Sequence, residues 1–127
     1  MSDNDRVKFL IGQPLYLSNY QKFRLLLKLL RKDFPTKYPV KVRRVSKKVM
    51  GDDAPFGICW LVNEYKERDK RYFQILISNK YDIGIQLDTL IHEWAHAKTW
   101  FDVKDNKFHS KPWTDMYGRL YRKYIED

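Results

Sequence analysis

The chain has 127 residues, 43% of them hydrophobic, and one cysteine, Cys59. That length suits a single domain with its own core, and one cysteine excludes an internal disulfide and a Cys-rich zinc ribbon. Net charge is +9, with the whole excess in residues 22–48, where eleven Lys/Arg stand against Asp33 alone.

Residues 1–18 read as an N-terminal extension, 19–48 as a basic helix and strand, and 83–125 as a helical part with metal-binding chemistry. The polar start, Met1 to Arg6, has no long apolar run behind it and predicts no signal peptide. Phe23, Leu26, Leu27 and Leu30 recur at helical spacing over 19–33, with Lys22, Lys28, Arg31 and Lys32 off the stripe. Pro35 and Pro39 end that helix. Val40, Val42, Val45 and Val49, interleaved with Lys41, Arg43 and Arg44, predict a half-exposed strand with one irregularity. Met50–Pro55 reads as a turn, Phe56–Asn63 as a buried strand, Glu64–Lys70 as a hairpin loop and Tyr72–Ser78 as a third strand. A helix follows from Ile83 to Phe101 with Asp82 as its N-cap. The last helix opens at Pro112 and carries Trp113, Met116, Tyr117, Leu120, Tyr121 and Tyr124 at helical spacing. The order predicts an α+β domain with an antiparallel or mixed sheet.

His92-Glu93-Trp94-Ala95-His96 concentrates the chemistry. Four helical residues overshoot one turn by about 40°, so both imidazoles leave one face, one above the other. Two imidazoles so placed clamp Zn²⁺, while Glu93 can reach a water without being a ligand. Leu87, Leu90, Trp94, Ala97 and Phe101 lie opposite, with Ile91 and Ala95 on a flank, so the helix should be buried. Unpaired charged groups there would cost several kcal/mol, roughly, and a metal supplies the pairing. A catalytic site needs a third protein ligand and an open position. The next glutamate after Glu93 is Glu126, and the compact HExxHxxGxxH pattern is absent because Thr99 and Asp102 occupy its positions. His109, just before the last helix, is the natural third ligand; Asp102, Asp105 or Asp115 can substitute.

Leu90-Ile-His-Glu-Trp-Ala-His-Ala97, then Trp100, a polar loop and His109-Ser-Lys-Pro-Trp113 resemble the SprT-like (Spartan-type) zinc metallopeptidases, above all their short phage and bacterial members. The resemblance covers roughly residues 35–125. It implies a minimal zincin-like core holding one Zn²⁺ per chain on His92, His96 and His109, with Glu93 as general base. It also implies that the strand before the helix, Tyr72–Ser78, is the edge along which a substrate peptide lies. Two features depart from the family: Ser110 stands where Gly usually follows the third ligand, and no C-terminal zinc ribbon is present. The implied reaction is peptide hydrolysis, Glu93 passing a proton from a zinc-activated water to the leaving amine. Tyr117 and Tyr121 are candidate oxyanion donors, and Asp88, one turn before His92, can orient a ligand imidazole.

Better-known eukaryotic members cleave proteins crosslinked to DNA. The basic segment, especially Lys41, Arg43, Arg44, Lys47 and Lys48, is thus either solvated surface or a nucleic-acid contact. Protein or peptide substrates and DNA are the expected partners, with no membrane, in a reducing cytoplasm (the host's, for a phage protein). The alternative is a nucleic-acid-binding module whose zinc is structural or vestigial. A third class, a deaminase or amidase, is opposed on the deaminase side by the missing PCxxC pair.

Overall fold

Ser18 starts the first helix, α1 (Asn19–Asp33), through a reciprocal cap: its hydroxyl accepts from the Gln21 amide at 3.1 Å and its own amide donates to the Gln21 side chain at 2.8 Å. The computed structural model of the chain describes residues 17–51, 56–63, 70–102 and 109–125. The N-terminal extension up to residue 16, the 64–69 loop and Asp105 lie outside the described residues. After α1 come β1 (Val40–Val45), a short helix α2 (Lys47–Met50), β2 (Gly57–Val62), β3 (Tyr72–Ser78), α3 (Ile83–Lys98) and α4 (Lys111–Tyr124). Among the described residues this is an α+β fold of four helices and one three-stranded mixed sheet. No helix among them is long and apolar enough to cross a membrane.

The sheet order is β1-β3-β2, with β3 parallel to β1 and antiparallel to β2. The central position of β3 corrects the expectation that Tyr72–Ser78 is a free edge. Its alternate residues Phe73, Ile75 and Ile77 are fully buried, and both of its backbone edges are consumed by its neighbours. Phe56–Asn63, expected to be buried, is instead the edge strand β2, and Ile58 and Trp60 face solvent. Val49 does not extend β1: the chain leaves the sheet after Val45 and coils into α2, then turns at Gly51, whose φ of 93° suits glycine.

The core lies between one face of the sheet and the helices, joining Phe23, Leu26 and Leu30 of α1 with Leu87, Leu90 and Trp94 of α3. In α1 it is Leu29 that is fully buried, while Leu27 is only half-buried, so the apolar stripe is rotated slightly from the expected one. The Trp94 indole donates to the Phe34 carbonyl at 3.0 Å, tying α3 to the end of α1. Tyr124 of α4 donates to Asp33 at 2.9 Å and closes the other side. Asp82 caps α3 as expected, accepting from the Ile85 amide at 3.0 Å. That helix ends at Lys98 rather than Phe101, whose ring is exposed beyond the Thr99 cap.

Candidate metal centre

Helix α3 is buried along most of its circumference, and His92 and His96 lie on a partly open strip of it. Their ring centres are 5.1 Å apart, as one helical turn requires. His109, immediately before α4, brings its ring to 5.4 Å from His92 and 5.0 Å from His96. One nitrogen from each imidazole lies within 4.8 Å of the other two, and this is the metal-capable group found among the described residues. Asp102 and Asp115 do not join it; Asp115 instead pairs with Lys111 at 3.0 Å.

Glu93 lies against this trio rather than within it. Its side chain is buried, with Oε1 3.7 Å from His92 Nε2. Burial pushes its carboxyl up to about 7. Burial, then the neighbouring His92 and His109, lowers His96 to about 4. His92 is lowered too, first by burial and then by His109, with Asp88 opposing. Both rings are therefore neutral at pH 7, the form whose nitrogen lone pair can enter a metal bond. Three imidazoles each offering a nitrogen to this group suit a nitrogen-preferring divalent ion such as Zn²⁺.

Trp113, which the sequence marks only as an apolar position of the last helix and the end of the His109 motif, proves to be part of the site. Its ring lies 4.7 Å from His92, 5.1 Å from His96 in a stacked pose and 4.5 Å from His109. The indole also donates to the His92 carbonyl at 3.2 Å, fastening α4 to α3 across the trio. Tyr117 stacks on Trp113 with rings 7° from parallel, and its hydroxyl donates to Asp88. Burial, then that hydrogen bond, raises the Tyr117 phenol. Asp88 and Tyr117 thus hold each other beside His92, while Tyr121 is exposed and meets only the rim of this stack, 6.0 Å from Tyr117. Ser110 Oγ, next to His109, is buried without a hydrogen-bond partner among the described residues.

Two clefts of about 320 and 300 Å³ share Gly57, His92, Glu93 and His109, and together they run beside β2 from Phe56 to Cys59. Cys59, His96 and Trp100 line the larger of the two. Burial, then the charge of Glu93, raises the Cys59 thiol, keeping it protonated and inert.

The basic residues are not gathered at this cleft. Lys41 and Arg43 are exposed on β1, the strand farthest from it. Arg44 turns the other way, donating to Gln86 at 2.7 Å with its guanidinium over the Phe23 ring. Lys48 is exposed on α2, and the side chain of Lys47 lies outside what is described. Comparison of the chain with protein-family models, curated proteins and solved structures found no match.

Proposed function

We propose that this chain is a zinc metallopeptidase of the SprT-like type, with His92, His96 and His109 as ligands and Glu93 as general base. The observation that carries the reading is the convergence of three imidazoles within 4.8 Å beside a buried glutamate. When bound, Zn²⁺ supplies Lewis acidity that polarises a carbonyl and acidifies water. Glu93, beside the trio without belonging to it, is the residue placed to take a proton from water and deliver it to the leaving amine. Trp113 holds the three rings in place, and the Asp88–Tyr117 pair buttresses His92 from the outer side.

The substrate in this reading is an extended peptide lying along β2. Among the described residues that strand pairs with β3 on one side only, and its other edge runs next to His92 and Glu93, where an added strand could hydrogen-bond. A catalytic zinc site uses three protein ligands and keeps one position for reactants, and three is the number of imidazoles brought together here.

The test is zinc content and cleavage of an unfolded protein such as casein. Glu93→Gln should retain one zinc per chain and lose about 100-fold or more in turnover. His109→Ala should lose zinc. Undiminished turnover by Glu93→Gln would sink the mechanism, and a zinc-free wild type would sink the metal assignment.

A further inference from the structure

The mixed sheet has a second face, turned away from α1 and α3. Strand register assembles it in rows. Lys41, Gln74 and Trp60 lie side by side, and Arg43, Leu76 and Ile58 form the next row. Trp60 and Ile58 are 38% and 37% exposed and lie in adjacent rows of this face. Tyr72 stands beside the first row with the Lys41 ammonium 4.0 Å from its ring centre. Neither Asp nor Glu occurs anywhere in the three strands. The face ends at Val45 and Ser78, both buried.

We propose that this outer face binds single-stranded nucleic acid, with a base on Trp60 and phosphates at Lys41 and Arg43. Each part of the surface suits that occupant. Aromatic faces attract unstacked bases of any sequence, whereas a duplex keeps its base faces covered. Lys41 and Arg43 are two residues apart on one strand, about 7 Å, so they can meet neighbouring phosphates. From β1 to β2 is two strand spacings, roughly 10 Å, so a phosphate backbone tracking β1 can lay its bases across β3 toward Trp60. A second copy of this chain is disfavoured because the strand residues of this face are charged only positively and the chain as a whole is net positive at +9.

This surface is distinct from the candidate metal centre. Gly57, Ile58 and Cys59 of β2 border the cleft, whereas Trp60, Lys41 and Arg43 are not in its lining. The two activities can therefore be tested separately.

Binding of fluorescein-labelled oligo-dT to the full-length Glu93→Gln chain is measured by anisotropy across a salt series, with a duplex of equal length beside it. The single strand should bind more tightly than the duplex. Trp60→Ala should weaken it about 5- to 100-fold, as loss of one stacked base predicts, and Trp60→Phe should restore most of the loss. The double variant Lys41→Ala/Arg43→Ala should reduce the log–log salt slope by about 1.4, two phosphates' worth, which Trp60→Ala should leave unchanged. All three positions are exposed, so circular dichroism should report an intact fold. Preference for the duplex, or unchanged affinity in both the Trp60→Ala and the double variant, overturns the proposal. So does a loss produced instead by Arg24→Ala/Lys28→Ala on α1. Absence of zinc or of proteolysis would sink the metallopeptidase reading and leave this one standing.

Discussion

Glu93 shares its buried pocket with two imidazoles held neutral, and their pH dependences oppose each other in the metal-free chain. His96 titrates near 4 in the fold against its ordinary 6.5, so acidification through that range favours the unfolded chain, which binds the extra proton. Glu93 does the reverse. Its carboxyl rises from an ordinary 4.5 to about 7, so between those values the folded chain holds the proton, and stability falls as pH rises. Glu93→Gln removes the second effect alone. In chelator, the stability of Glu93→Gln relative to wild type should climb between about pH 4.5 and 7 by up to ~3 kcal/mol, read from urea unfolding. A flat difference across that range would show that Glu93 is not desolvated. His92, Glu93 and His96 were legible in the sequence because helical geometry turns their spacing directly into proximity. Trp113 was not, because an aromatic at helical spacing looks like any core position; only the packing angle of α4 on α3 aims its ring at all three imidazoles.

At the scale of elements, the relation between β2 and α3 sets the width of the cleft. A Cβ on Gly57 would lie 2.7 Å from Thr89 Cγ2 and 2.9 Å from the Leu76 carbonyl oxygen, so glycine alone permits this approach. Gly57→Ala should cost about 1–3 kcal/mol by overpacking, seen in thermal unfolding. It should also raise KM for peptide cleavage, because β2 must move off the helix. Thr89→Ser in the same chain should recover part of the stability, since it removes the closer contact and leaves the carbonyl. Unaltered stability and KM would mean the cleft does not depend on that contact. The helices and strands themselves were readable from periodicity and caps: α1, β3 and the Asp82 cap fall where the sequence predicts. Strand order was not readable. Period-two alternation says which residues face the core, but the exposure of Trp60 and the central place of β3 depend on partners far along the chain.

For the whole molecule, the candidate ligands join α3 to the start of α4, so a bound metal should act as a cross-link in addition to its chemistry. At free zinc 100-fold above Kd the folded state should gain about 2.7 kcal/mol, visible as a higher Tm than in chelator. Equal melting in zinc and in chelator would remove the metal from the account of stability. The +10 segment likewise looked like one feature in sequence, but the fold divides it between the helix α1, the outer sheet face and the buried-side contact of Arg44. Charge counting cannot see that division, because alternate strand residues point to opposite faces. The place of β3 in the sheet also sets unequal loop-closure costs for its two pairings. β2 and β3 pair as neighbours across the short connection between Val62 and Tyr72, whereas Lys41 meets its partner Gln74 from 33 residues away. The local hairpin can close quickly, while docking β1 requires a longer loop to be organised first. As the chain emerges during synthesis, β1 waits unpaired until β3 is made, and its run of Lys41, Arg43 and Arg44 keeps that waiting strand from pairing with its counterpart on another chain.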